Sequence, residues 1–218
     1  MAGILFIISA PSGSGKSTLV TQLRTLVEGL DFSVSYTTRA PRGSEENGRE
    51  YHFTTRAHFE AMIQRGEFLE WAEVFGNYYG TALSALDHAR QAGKDLLLDI
   101  DVQGALQIMQ KLPTAVSIFI LPPSPQVLEM RLRNRSEAEN MTSEDVIARR
   151  LAEARKELDR VHQYKYALVN DVLDQAVAEM RAIVLYERGA GAAVEAIAAS
   201  CRTNAASPRL QAALDSFV

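Results

Sequence analysis

Nine consecutive residues, Ala10, Pro11, Ser12, Gly13, Ser14, Gly15, Lys16, Ser17 and Thr18, concentrate the groups that could hold a chain of phosphates. They fit the phosphate-loop pattern G-x-x-x-x-G-K-S/T, with Ala10 at the first position, where a small residue is the main requirement. Gly13 and Gly15 let the backbone turn back on itself, so that successive N–H groups point inward at phosphate oxygens. A helix starting near Lys16 would aim its positive end at the same anion. Lys16 supplies a mobile cation for β- and γ-phosphates, and the Ser17 hydroxyl suits Mg²⁺.

A second group of residues suits a dianionic phosphate. Arg39 and Arg42 stand three apart in a loop that contains Pro41, so both guanidinium forks can converge on one anion. Tyr51 and Tyr79 can add neutral hydroxyl donors. Asp99 and Asp101 close an apolar run, the place where parallel-sheet enzymes put ligands. Arg131 and Arg135 are four apart and share a helix face, while Arg133 and Arg149 interleave with Glu129, Glu137 and Glu144 as on a solvated face. His52, His58, His88 and His162 show no metal-ligand spacing. Cys201 is the single cysteine, which excludes an internal disulfide and cysteine-based zinc sites.

The elements that must carry these groups alternate. Apolar runs at 3–9, 95–100, 115–121 and 166–169 lack polar alternation, as strands buried on both faces do. Each precedes a helical stretch, at 17–28, 103–110, 125–135 and 172–188. This order predicts an α/β fold, a parallel sheet core with helices on both faces. Residues 36–82, rich in Tyr, Phe, Thr and Arg, read as an inserted small mixed α/β subdomain. Residues 136–143 read as polar and mobile, and Ser143 opens a long amphipathic helix with Glu144 and Asp145 in its first turn. Residues 189–218 are Ala-rich and carry no recognisable motif.

Composition narrows the ligands. Hydrophobic residues make up 47% of the 218 and charged residues 23%, which suits a globular chain with a real core. Lys plus Arg number 23 against 27 Asp plus Glu, so the net charge of −4 argues against a polymer nucleic acid while leaving small phosphate ligands open. The N-terminal residues lack a basic n-region, and no apolar span of about 18 residues occurs. The expectation is a cytoplasmic protein without a membrane partner.

Further motifs follow the phosphate loop in order: SVSYTTRAPR at 33–42, GREY at 48–51, Glu70-Trp71, GNYYGT at 76–81 and LDIDVQG at 98–104. Through them the chain resembles the guanylate kinases, over residues 3–188. The resemblance implies transfer of the γ-phosphoryl of ATP to GMP, giving GDP and ADP, by direct in-line attack with Mg²⁺ and closure of a lid and a GMP-binding region. It divides residues 1–188 into a core, a GMP-binding region at about 36–82 and a lid at about 131–150, leaving 189–218 as a tail. It implies that Arg39, Arg42, Tyr51 and Tyr79 hold the GMP phosphate, and that Glu70, Asp101, Ser35 and Thr81 meet the guanine edge. That edge presents two donors beside an acceptor, which a carboxylate and hydroxyls can satisfy. It places Asp99 near Mg²⁺ with Ser17, the lid residues Arg131, Arg135 and Arg150 on the transferring phosphoryl beside Lys16, and Asn170 on the adenine side. A scaffold module of the same fold would have a degraded phosphate loop, whereas Lys16 and Ser17 are present; a P-loop GTPase would carry an NKxD-type base reader, which is missing.

Overall fold

The computed structural model describes residues 3–138, 143–205 and 207–217, the side chains of 135–138 excepted. They fall into two compact units, Met1–Ile7 with Gly29–Ala115, and Ile8–Glu28 with Val116–Val218. A five-stranded sheet has the order β2 (Leu30–Phe32), β7 (Asp95–Asp99), β1 (Leu5–Ser9), β8 (Val116–Leu121), β9 (Tyr166–Val169). The pairs β2–β7 and β8–β9 are parallel. Every residue of β1, β8 and β9 is buried, which is why these segments read as unbroken apolar runs.

The first unit holds a four-stranded mixed sheet of order β4 (His52–Phe53), β3 (Tyr36–Thr37), β6 (Asn77–Ala82), β5 (Phe68–Val74). β3 runs parallel to β4 and antiparallel to β6, and β5 pairs antiparallel with β6. The hairpin between β5 and β6 turns at Phe75 and Gly76, both with positive φ (50° and 81°), the backbone a tight two-residue turn demands. Helix α2 (Arg56–Gln64) begins at Thr55, whose hydroxyl accepts from the His58 amide, and Phe59, Met62 and Phe68 form a small core beneath it. Helices α3 (Leu83–Gln91) and α4 (Val102–Lys111) complete this unit.

The second unit carries α1 (Lys16–Leu26), α5 (Pro125–Ala138), α6 (Glu144–Leu158), α7 (Leu173–Glu187), α8 (Ala192–Ser200) and α9 (Pro208–Asp215). Acidic Glu144 and Asp145 occupy the first turn of α6, as expected of its dipole, although the Ser143 hydroxyl makes no capping bond. Helix α5 runs past Arg135 to Ala138; residues 139–142 of the segment expected to be mobile lie outside the described residues. Arg133 pairs with Glu129 and Glu144, as its solvated setting suggested. Residues 189–218 hold α8 and α9, packed on α7 and β9 respectively. Among the described residues, no helix is long and apolar enough to cross a membrane.

Candidate active site

In the second unit, β1 ends at Ser9 and the chain turns through residues 10–15 before α1 begins at Lys16. Gly13 and Gly15 both have positive φ, 90° and 83°, and the Ser14 amide donates to the Pro11 carbonyl at 3.1 Å. A Cβ on Gly13 would press on Leu128 and Leu132 of α5 at 3.1 Å. A Cβ on Gly15 would overlap the Asn170 amide nitrogen. Both glycines are therefore required twice, by backbone conformation and by close neighbours. Ala10 is buried, Lys16 half-buried, and Ser17 and Thr18 exposed. The Ser14 Oγ is buried without a partner.

Two side chains hold this loop. Asn170, in the turn after β9, donates from Nδ2 to the Ser14 carbonyl at 2.8 Å. Arg131 of α5 donates to the Asn170 carbonyl at 3.1 Å and to the Ser14 carbonyl at 3.4 Å. Burial pulls the Arg131 pKa down against the opposing pull of Asp171. Arg150 on α6 is buried, whereas Arg149 is exposed. Arg135 lies in α5, with its side chain outside the described residues. Asn170, which the resemblance places on the adenine side, holds the loop at Ser14.

In the first unit, Arg39, Tyr51 and Tyr79 come together. The Tyr51 and Tyr79 rings meet edge-on at 5.9 Å, and the Arg39 guanidinium lies 5.3 Å from the Tyr51 ring centre. Burial, the Asp99 carboxylate and Tyr79 push the Tyr51 hydroxyl up to about 12, so it stays a donor at neutral pH. Glu45 was not anticipated. It forms a two-pronged pair with Arg39, at 2.9 and 3.0 Å, and accepts the Arg42 amide at 2.8 Å. Burial alone would lower the Arg39 pKa, but Glu45 and Tyr79 outweigh it and hold the value above the ordinary one. Glu45 itself, pushed up by burial, is pulled below the usual carboxylate range by Arg39 and the Arg42 amide. The signal for Glu45 was its place three residues after Arg42, where the Glu45 amide closes a turn onto the Arg42 carbonyl at 3.0 Å.

Beside them sits a carboxylate in an unusual setting. β5 has a register irregularity between Phe68 and Glu70, so that Phe68 pairs with Ala82 and Glu70 with Thr81. Phe68 stacks on Phe59 at 4.3 Å, whereas Glu70 lies against α4, where a Cβ on Gly104 would overlap its Oε2. A bulge re-aims a side chain in this way. Glu70 is 2% exposed, and its Oε1 and the Thr81 Oγ1 are both buried without a hydrogen-bond partner. Burial, with a contribution from Asp101, pushes Glu70 up to about 7 against the pull of Thr81 and Lys111. Asp101 caps α4, accepting from the Gln103 and Gly104 amides at 2.7 and 3.1 Å. Ser35 is buried on the same unit, and Asp99 ends β7 half-buried.

A glycine-turned loop opening a helix in one unit, and an arginine–tyrosine cluster with a buried carboxyl in the other, are the parts that a P-loop nucleoside monophosphate kinase requires. The family model "Guanylate kinase" matches residues 3–187. The guanylate kinase of Koribacter versatilis (strain Ellin345) is 54% identical, covering 100% of this chain and 97% of its own. That of Nitrosospira multiformis is 49% identical, covering 85% of this chain and 87% of its own. The crystal structure of guanylate kinase from Anaplasma phagocytophilum superposes with a TM-score of 0.70 at 33% identity, over 85% of this chain and 86% of that one. The chain belongs to the guanylate kinase family. Its activity is the transfer of the γ-phosphoryl of ATP to GMP, giving GDP and ADP.

Proposed function

We propose the following division of labour for that reaction, within one catalytic domain spanning residues 1–188 and acting in the cytoplasm on small nucleotides rather than on nucleic acid or membranes. Residues 10–18 wrap the ATP phosphates with backbone amides, and Lys16 neutralises charge on the β- and γ-phosphates. Arg131, Arg135 and Arg150 add charge to the transferring phosphoryl as the lid, residues 131–150, closes. Arg39 and Arg42, with the Tyr51 and Tyr79 hydroxyls, fix the GMP phosphate for in-line attack. No covalent intermediate is needed, because an oriented phosphate oxygen is nucleophile enough. Closure also excludes water, the competing acceptor.

Mg²⁺ belongs to this scheme. Among the described residues no cluster of three or more His, Cys, Asp or Glu forms a cage, but the Ser17 hydroxyl and Asp99 carboxylate are the hard oxygen donors that suit an ion keeping most of its water. Bound with ATP, the ion would neutralise β- and γ-phosphate charge, and Ser17 and Asp99 are the residues that would hold it.

The single observation that carries base selection is the buried, unpartnered pair Glu70 Oε1 and Thr81 Oγ1. An orphaned carboxylate oxygen in a dry site wants donors, and guanine N1–H and N2–H₂ are two adjacent donors; Asp101, Ser35 and Thr81 complete the guanine contacts. Adenine puts an unprotonated N1 there, an acceptor facing an acceptor once the carboxyl is ionised, so base choice is measured at pH 8, above the Glu70 value of about 7. The test is kcat/KM for GMP, IMP and AMP in the wild type and in Glu70→Gln. Discrimination against AMP should reach roughly 10³-fold, with IMP between, and the variant should lose GMP use far more than ATP binding. AMP matching GMP in the wild type would remove Glu70 as the base reader.

A further inference from the structure

Residues 189–218 lie beyond the family match, yet Arg209 of their last helix bonds to the residues on either side of Asn170. Arg209, on the first turn of α9, donates to the Val169 carbonyl at 2.7 Å and to Glu179 Oε1 of α7 at 2.5 Å, and pairs with the Asp171 carboxylate. Three acceptors thus converge on one guanidinium, two of them flanking Asn170. Asn170 in turn holds the Ser14 carbonyl through its amide, and its own carbonyl receives Arg131. The chain of hydrogen bonds runs from α9 through residues 169–171 to the phosphate loop and to the lid arginine. Leu210 and Ala213, both buried, seat α9. Further on, Phe217 packs against the cluster Leu128, Leu132 and Ala154, which belongs to α5 and α6. The tail therefore touches the ATP side beside Asn170 and at the root of the lid.

We propose that the C-terminal tail is a brace for the ATP half-site, with Arg209 a positioning residue that acts through Asn170 on the phosphate loop and on Arg131. The proposal rests on the reading of residues 10–18 and Asn170 as the ATP site. A planar fork with five donors can satisfy a carbonyl and two carboxylates at once, and no other side chain offers that geometry. Removing it takes two hydrogen bonds from the 169–171 turn, which the Asn170 amide still ties to the Leu121 carbonyl at 2.8 Å, and so loosens the hold on the Ser14 carbonyl and the Arg131 guanidinium.

The experiment measures equilibrium Kd by calorimetry for adenylyl imidodiphosphate and separately for GMP, using the full chain. Wild type is compared with Arg209→Ala, Arg209→Lys, Asn170→Ala and the Asn170→Ala/Arg209→Ala double variant. Arg209→Ala should weaken the ATP analogue about tenfold and leave GMP within about twofold, and Arg209→Lys should recover part of the loss. In the double variant the Arg209 change should cost clearly less than it does in the wild type, because Asn170→Ala removes the side-chain path to Ser14 and keeps the Asn170 carbonyl that receives Arg131. Equal weakening of both ligands, or additive losses in the double variant, would overturn the brace. If Arg209→Ala does not fold, Asp171→Asn removes one charged partner and Arg209→Lys keeps the charge; they carry the same test, and ATP-analogue binding unchanged in both overturns it. Should Asn170→Ala bind the analogue normally, the reading of Asn170 fails and the proposal with it; should only the Arg209 variants bind normally, the proposal alone fails.

Discussion

Glu70 with its carboxyl near 7 is a group whose charge GMP must pay to establish. The folded value lies above the ordinary 4.5, so the protonated form is favoured in the native chain. Its contribution to stability is full below about 4.5 and is lost as pH rises through about 7, on the order of 3 kcal/mol across that window. Guanine reverses the preference, since its two donors need an ionised acceptor. GMP binding at pH 6 should therefore release about one proton from Glu70, and close to none at pH 8. The measurement is calorimetry in buffers of different ionisation enthalpy, taken as wild type minus Glu70→Gln so that the titration of the GMP phosphate cancels. A difference that stays flat from pH 6 to pH 8 would show that Glu70 is already ionised in the free protein. At Arg39 the argument is one of orientation: Glu45 fixes the guanidinium through a two-pronged pair, so Glu45→Gln should loosen GMP while leaving the ATP analogue untouched.

At the level of elements, the strands, the phosphate loop and the main helices were legible because local rules decide them. Buried parallel strands are apolar throughout, and glycines mark the loop that opens α1. What escaped depends on partners distant in sequence. The bulge that turns Phe68 toward Phe59 and Glu70 toward α4 leaves no mark in the alternation of FLEWAEV. The hairpin turn carries Phe75 at positive φ, where glycine or asparagine would have announced it. Glu45 acts on Arg39, six positions away, and on the Arg42 amide, and Gly104 on Glu70, 34 positions away. Gly104 makes the point testable. It sits in the first turn of α4, where alanine would gain roughly 1 kcal/mol of helix propensity. The added Cβ would overlap the tip of the Glu70 side chain, which can swing away at little cost in stability but at the expense of its aim. Gly104→Ala should keep or raise Tm while lowering kcat/KM for GMP by on the order of 10- to 100-fold. Unchanged GMP kinetics would mean that the carboxylate has room to stay in place.

Across the whole molecule, the proposed substrate residues divide along the two compact units. Residues 10–18, Arg131, Arg150 and Asn170 belong to the second unit, and Ser35, Arg39, Arg42, Tyr51, Glu70, Tyr79, Thr81 and Asp101 to the first. Asp99, the proposed acidic partner of Mg²⁺, belongs to the first unit. Such a division predicts that binding defects segregate even though turnover depends on both sets. Lys16→Ala should fold, hold GMP normally and lower kcat by on the order of 10³, since it removes the cation that meets developing phosphate charge. Arg39→Ala and Arg42→Ala should each weaken GMP by roughly 30- to 150-fold, the equivalent of about 2–3 kcal/mol for a charged fork in a desolvated cradle, with Kd for the ATP analogue unchanged. Asp99→Asn is the informative exception: it should leave GMP binding intact and raise the Mg²⁺ concentration needed for half-maximal rate. The four variants, each titrated with both nucleotides and with Mg²⁺, give a matrix whose off-diagonal terms should be near zero. A large GMP defect in Lys16→Ala, or a large ATP defect in Arg39→Ala, would mean that the units do not act as separate binding halves.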